Sequence, residues 1–247
     1  MFSIITPCYN GAEYIADCIE SVRAQTFEDW EMLVVDDCST DRSAEIVKQY
    51  AKEDSRIKYL YTPKRSGSPS LPRNIGIDHA QGDFIAFLDA DDMWLPRKLE
   101  EQHRFLMDNG YEFVYSDYEK VTTDGQRAHR VIKVRASSSY KETLVCSDIP
   151  CLTVVVSSHL IGESRFKQIP EEDYGMWLEL LKKGVTAHNT GMVHALYRET
   201  PNSRSSNKFA MIKKHWFVLR SVEEVNVVLA MFFVLRQMVN SFRKYII

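Results

Sequence analysis

Residues 84–96 read Phe84-Ile-Ala-Phe-Leu-Asp89-Ala-Asp91-Asp92-Met-Trp-Leu-Pro96. Phe84–Leu88 is a short apolar run, the pattern of a strand buried on both faces. Pro96 is pre-set for the first turn of a helix, and Gly110 ends that helix. Between them, three carboxylates fall within four positions directly after the strand. Ionised carboxylates this close repel one another and are costly unless a cation neutralises them. Hard divalent cations take oxygen ligands and complete their shell with phosphate. The stretch therefore predicts a buried strand that ends on a metal-bridged diphosphate site. A plainer reading is an acidic turn that caps the next helix.

Working back from Phe84, the same alternation recurs. Phe2–Thr6, Met32–Val35 and Ile57–Tyr61 are further apolar strands. Asn10-Gly-Ala-Glu13 has the spacing of a capping box, and Ile15, Cys18, Ile19 and Val22 follow at helical spacing. Asp41 opens a second helix with Ile46, Val47 and Tyr50 on one face, and Pro72–Ala80 is a third, closed by Gly82. Strand and helix in alternation predict an α/β fold: a Rossmann-like, mostly parallel central sheet with helices on both faces. Such sheets bind ligands at the carboxyl ends of their strands. Thr6-Pro7-Cys8-Tyr9-Asn10, Asp36-Asp37 and Asp89-Ala90-Asp91-Asp92 stand at those ends. Asp36 and Asp37 are placed to accept hydrogen bonds from a base or a ribose. Capping of the next helix accounts for Asp41 but leaves that pair unexplained.

Beyond Gly110 the rhythm loosens. Phe113–Tyr115, Val131–Val134, Leu152–Val156 and Val193–Tyr197 read as strands, and Lys208–Ile247 as two helices. Glu171–Lys183 is a helix with Tyr174, Trp177, Leu178 and Leu181 on one face and Gly184 as its stop. Glu171, Glu172 and Asp173 fill its first turn, where the macrodipole favours ionised acids. One of them facing a cleft is a candidate general base; ordinary N-terminal helix acids are the alternative. Arg198, just after the last strand, offers a planar fork for a diphosphate or a surface ion pair. His194 reads as a structural histidine rather than an extra metal ligand.

The chain has 247 residues, 26% of them charged, an ordinary globular mixture. Its net charge of -3 argues against a nucleic-acid partner. The charge is uneven: residues 204–247 carry eight Lys/Arg against two Glu, so that segment is basic on an acidic body. Such a tail predicts peripheral contact with an anionic membrane surface; packing on the body, or pairing of two copies in a homodimer, is the alternative. No run reaches the roughly 18 apolar residues of a membrane span. Five cysteines without CxxC spacing speak against a disulfide framework or a zinc site, and Pro7 stops Phe2–Thr6 from serving as a leader. A cytoplasmic protein, at the inner face of the cell membrane, is the expectation. Neither GxGxxG nor a Walker A loop is present, and neither GxSxG nor HExxH.

In order, these segments resemble inverting glycosyltransferase family 2, which has the GT-A fold. Ser3–Asn10 is similar to its opening strand and loop, and Val34–Asp41 to its nucleotide-binding acids. Pro72-Arg73-Asn74-Ile-Gly76 with Ala80–Asp83 matches the helix before its metal strand. Phe87–Asp92 matches its DxD motif, Glu172-Asp173-Tyr174 its base motif, and Tyr197-Arg198 with Ser203 its late diphosphate-side motif. The match spans about residues 2–205. It implies that Thr6, Pro7, Tyr9 and Glu13 line the nucleotide site, that Asp36 or Asp37 reads the base, and that Arg73 and Asn74 close the pocket. It implies Asp91 with Asp89, beside Ala90, as the holder of Mn²⁺ or Mg²⁺ on the diphosphate, and Asp173, next to Glu172, as general base. Arg198 and Ser203 would contact donor or acceptor near the phosphates. The implied organisation is a nucleotide-sugar half (1–110), an acceptor half (111–205) and basic C-terminal helices (206–247). The tail resembles members that build bacterial surface polysaccharide (O-antigen, capsule or exopolysaccharide) on lipid-linked acceptors, with a UDP-sugar as donor.

Three other readings compete. A metal-dependent nucleotidyltransferase would want a Gly- and Arg-rich loop where Thr6–Ala12 stands. A receiver-like signalling domain would need about half this length. A catalytically inactive nucleotide-binding scaffold would not need Asp91 and Asp173.

Overall fold

The computed structural model describes residues 1–200 and 208–246. The first half runs β1 (Phe2–Cys8), α1 (Ile15–Arg23), β2 (Trp30–Asp36), α2 (Ser43–Glu53), β3 (Ile57–Tyr61), α3 (Ser70–His79), β4 (Phe84–Phe87), β5 (Met93–Trp94) and α4 (Lys98–Asn109). The second half runs β6 (Phe113–Val121), β7 (Arg127–Ile132), β8 (Ser137–Ser138), α5 (Tyr140–Val145), β9 (Val155–Ser157), α6 (Ser158–Ile161), α7 (Glu172–Leu181), β10 (Ala187–Arg198), α8 (Lys208–Phe217) and α9 (Val227–Ile246).

One sheet joins both halves in the order β3-β2-β1-β4-β9-β6-β10-β5, with β7 beside β6 and β8 beside β10. β1 pairs in parallel with β2 and β4, and β6 with β10. β9 runs antiparallel between β4 and β6, and β5 antiparallel to β10. The mostly parallel α/β sheet read from the sequence is the observed architecture.

Alternation along β1 sends residues to opposite faces. Phe2 and Ile4 join Ile15, Ile19 and Val22 of α1, Val47 of α2 and Leu99 of α4. Ile5 joins Ile77 of α3 and Trp177 and Leu180 of α7 on the other face. Helix α3 lies close on β1 because Gly76 faces it: a Cβ there would sit 2.5 Å from the Ile5 side chain.

Several local expectations change. Asn10 and Glu13 form no capping box; α1 begins at Ile15, and the preceding Tyr14 makes no side-chain cap. Asn10 instead takes a left-handed conformation (φ 49°), which Asn tolerates, and its Oδ1 accepts from the Thr40 amide at 2.8 Å. That bond ties the loop after β1 to the loop after β2. The capping box lies elsewhere, at Ser139 and Glu142 of α5.

The C-terminal helices pack on the body. Val218, Leu219, Ala230 and Val234 meet Leu144, Tyr174 and Leu178. Between α8 and α9, Glu223 accepts from Tyr140 at 2.5 Å and pairs with Lys182 at 2.7 Å. The far side of α9 leaves Val228, Met231, Phe232, Leu235 and Val239 exposed. Among the described residues, no helix is long and apolar enough to cross a membrane.

Candidate active site

The carboxyl ends of β1, β2 and β4 open into a cleft of about 1140 Å³. Of the residues expected there, Pro7, Tyr9, Glu13, Asp37, Arg73, Asp89, Ala90, Asp91, Glu172 and Asp173 line it.

On one wall Asp37 builds the loop that follows β3. Its Oδ1 accepts from the Thr62 hydroxyl (2.9 Å) and the Ser66 amide (2.8 Å), its Oδ2 from the Ser66 hydroxyl (2.9 Å) and the Gly67 amide (3.1 Å). The loop so held carries Arg65, whose guanidinium lies 4.3 Å from the centre of the Tyr9 ring. A cation over an exposed aromatic ring at the rim suits a flat base and a phosphate. Asp36 lies behind this wall, accepting from the Ser39 amide at 3.1 Å and the Tyr59 hydroxyl at 3.0 Å. Thr6 is fully buried in β1 and does not reach the cleft surface. Asn74 is likewise spent on structure: its side chain clamps the Phe166 backbone through bonds of 2.9 and 2.8 Å.

The floor is the acidic loop after β4. The Asp92 carboxylate accepts from the Arg198 amide at 2.9 Å. The Arg198 side chain, 2% exposed, lies behind the loop and not in the cleft lining. It donates to the Asp91 carbonyl (2.9 Å), the Thr123 carbonyl (2.7 Å) and Asp17 (2.8 Å). Arg198 thus fixes the shape of the loop. Burial, then the charge of Asp89, pushes the Asp91 carboxyl up to about 6.

Arg73 joins this floor to the opposite wall. Its guanidinium, 3% exposed, reaches Asp89 at 2.7 Å and Glu172 at 3.1 Å. Burial opposes its charge, but the carboxylates around it hold its pKa well above the ordinary value. Beside Glu172 stands Asp173, whose Oδ1 accepts from the Tyr174 amide at 2.8 Å. Burial, then the neighbouring Glu172, raises the Asp173 carboxyl to about 6, against the pull of Arg73. A carboxylate poised near neutrality suits proton abstraction.

Among the described residues, no three His, Cys, Asp or Glu side chains form a metal cage. Asp91 and Asp89 offer two hard oxygen donors, and Arg73 holds one oxygen of Asp89. The raised Asp91 is an uncompensated carboxylate of the kind a divalent cation relieves, with phosphate oxygens to complete the shell. His194 lies elsewhere, 2.8 Å from Glu101, with burial lowering its pKa to about 4. It is structural, as expected. Ser203 lies outside the described residues.

Other cleft residues were not legible in the sequence. Arg65 sits in a loop without a readable pattern. Tyr118 and Lys120 come from β6, Pro150–Leu152 from the approach to β9, and Met211 and Lys214 from α8. For Lys214 the basic tail was the sole hint.

The chain matches known proteins along most of its length. A family model described as glycosyl transferase family 2 covers residues 3–166. TuaG of Bacillus subtilis (strain 168), a glycosyltransferase assigned provisionally to teichuronic acid biosynthesis, is 38% identical over 99% of this chain and 97% of its own. WfgD of Escherichia coli, a UDP-Glc:alpha-D-GlcNAc-diphosphoundecaprenol beta-1,3-glucosyltransferase, is 36% identical over 99% of this chain and 95% of its own. Among solved structures, S. aureus TarS (residues 1–349) in complex with UDP-GlcNAc superposes with a TM-score of 0.72 at 21% identity, over 90% of this chain. This chain spans 65% of that one, less than two thirds of its length. The mannosyltransferase PcManGT of Pyrobaculum calidifontis, in complex with GDP-Man and Mn²⁺, gives 0.69 at 16% identity, over 94% of this chain and 69% of its own. Both share the fold.

Proposed function

The chain belongs to glycosyl transferase family 2 and is a glycosyltransferase, and on that premise we propose that it moves glucose or a related hexose from a UDP-sugar to a hydroxyl of a saccharide carried on a lipid diphosphate, with inversion. The nucleotidyltransferase and receiver-like readings fall with that membership. The observation that carries the proposal is the Arg73 bridge, at 2.7 Å to Asp89 and 3.1 Å to Glu172. It holds the candidate cation-binding acids and the candidate base at fixed spacing across one cleft. The donor and acceptor in this reading follow the substrates in WfgD's own name.

Each residue then has a task. Asp37, through the loop it orders, and Tyr9 with Arg65 hold the nucleotide; Pro7 and Glu13 complete that wall. Asp91 with Asp89 would hold Mn²⁺ or Mg²⁺, whose charge would offset that of the leaving diphosphate. Asp173 takes the proton of the acceptor hydroxyl as that oxygen attacks the sugar carbon from the face opposite the diphosphate. The nucleotide leaves, and the anomeric centre inverts. Arg73 and Arg198 act on geometry: one spaces the two walls, the other shapes the acidic loop. Residues 1–110 form the donor half, 111–205 the acceptor half. The exposed apolar side of α9, among the basic residues of 206–247, rests on the inner face of the cell membrane beside the lipid-linked acceptor.

Binding and turnover of a panel of nucleotide sugars, with Mn²⁺, Mg²⁺ or chelator, test this for the wild type and Asp91→Ala. Metal-dependent turnover of a UDP-hexose, lost in the variant, is expected. Turnover unchanged by chelator and by Asp91→Ala would refute the metal-site assignment.

A further inference from the structure

Helix α8 enters the cleft from the C-terminal tail: Met211 and Lys214 line it. One residue on, the His215 side chain is buried, 2% exposed, against the turn that carries Asp173. Its ring stacks on Tyr174 with centroids 4.8 Å apart and planes 26° apart. Its Nδ1 lies 3.5 Å from Glu171 Oε2. His215 therefore touches the residue on each side of the Glu172-Asp173 pair.

Two details show that this contact is unfinished. Among the described residues, neither ring nitrogen of His215 nor Glu171 Oε2 makes a hydrogen bond, although all three atoms are buried. Buried polar atoms without partners cost the fold free energy. Glu171 also stands at the start of α7 in a left-handed conformation (φ 54°), uncommon for a residue with a side chain. A displacement of about half an ångström would bring Nδ1 and Oε2 to ordinary hydrogen-bond distance. Packing alone would be served as well by an apolar ring at position 215.

We propose that His215 is a positioning residue for Asp173, and that α8 is a clamp that closes the His215–Glu171 hydrogen bond when acceptor fills the cleft beside Met211 and Lys214. Closure seats the first turn of α7, and with it the Asp173 carboxylate, against the acceptor hydroxyl. The proposal rests on Asp173 as the base. It makes the tail part of the active site as well as its outer support.

The test uses the full-length protein with the donor that turns over in the panel, His215→Phe and His215→Asn. Phenylalanine keeps the stack on Tyr174 and lacks the nitrogens; asparagine keeps a donor near Nδ1. His215→Phe is expected to lower kcat about tenfold or more while donor KM holds and the unfolding midpoint stays level or rises, because it removes buried polar atoms that have no partner. His215→Asn should recover part of the lost kcat. Hydrogen–deuterium exchange with a GlcNAc-diphospholipid present should be faster at residues 171–176 in His215→Phe than in the wild type, and equal in the two proteins without it and throughout β1 and β2. Wild-type kcat in His215→Phe, or equal losses in both variants with unaltered exchange at 171–176, would overturn the proposal. Asp173→Asn is run alongside. If it transfers sugar normally, the base assignment has failed; if it is inactive while His215→Phe is normal, only the clamp has failed.

Discussion

Replacing Asp173 with Asn separates what the residue costs the fold from what it gives the reaction. Burial and Glu172 raise its carboxyl from 3.8 to about 6, which corresponds to about 3 kcal/mol of destabilisation once the group is ionised in both states. The pKa is raised on folding, so the protein is most favoured below the unfolded value and loses that stability as pH rises through about 6. Asparagine cannot ionise, and its Oδ1 can still accept from the Tyr174 amide, a bond of 2.8 Å in the native chain. Asp173→Asn should therefore be more stable than wild type by about 2–3 kcal/mol near pH 8, which is about 4–12 °C in Tm for a chain of this size. The gain should shrink to a few tenths of a kcal/mol near about pH 3.5. Transfer activity should fall at least about a hundredfold. In the wild type, kcat should rise with pH through about 6 as the base ionises. Urea unfolding at the two pH values and a pH–rate profile measure all of this. A variant no more stable than wild type near pH 8, or one that keeps its activity, would refute the reasoning.

Three further perturbations test the scaffold. Arg73→Met should cost about 3–5 kcal/mol by leaving the buried Glu172, and the part-exposed Asp89 beside it, without their shared cation. Adding Glu172→Gln should recover part of that loss in urea unfolding. Gly76→Ala gains about 1 kcal/mol of helix propensity, but its methyl would meet Ile5 at 2.5 Å. Overpacking of about 1–3 kcal/mol should win, giving net destabilisation and a lowered Tm. Leu235→Asp, at a position 60% exposed, should weaken sedimentation with phosphatidylglycerol vesicles while unfolding is unchanged. Equal vesicle binding would remove α9 from the membrane contact.

The first half of the chain was legible because its strands are short apolar runs, with acids at the ends of two of them. Phe84–Leu88 followed by three acids can be read without a structure. The second half was less legible for physical reasons. β6 and β10 carry polar residues at many positions, so Ser116, Asp117 and Lys120 hid the reach of β6, and Asn189–Gly191 hid the start of β10. Five-residue strands lacked the length to reveal that β9 is antiparallel. Asp36 and Asp37 stood together as candidates because spacing alone cannot say which carboxylate faces out; alternation along β2 and the bond from Tyr59 turn Asp36 away. Arg198 showed the converse limit. It closes β10 rather than following it, and whether its fork points at a ligand or at the protein depended on Asp17 and Thr123, far away in sequence.

Burial raises three acids of the cleft: Asp92 stays well above the ordinary carboxylate range even with the Arg198 amide on it, and Asp91 and Asp173 lie nearer neutrality. Asp89 and Glu172 share Arg73, and Asp92 receives the Arg198 amide. Asp91 and Asp173 form no ion pair among the described residues, and both are pushed up to about 6. Ionised at neutral pH, each costs the empty fold free energy that a well-placed ligand can return. On the proposed reading the return would come from a cation for Asp91 and from a hydroxyl proton for Asp173. Donor with metal should then raise Tm by more than either alone, because each ligand that binds only the native state adds stability that grows with the logarithm of its concentration over its Kd. In Asp91→Asn the carboxylate's cost is already gone, so the empty protein should melt higher than wild type and the added rise from metal should vanish. If metal still raised the Tm of that variant as much as it raises the wild type, the cation would be held elsewhere than on the acidic loop.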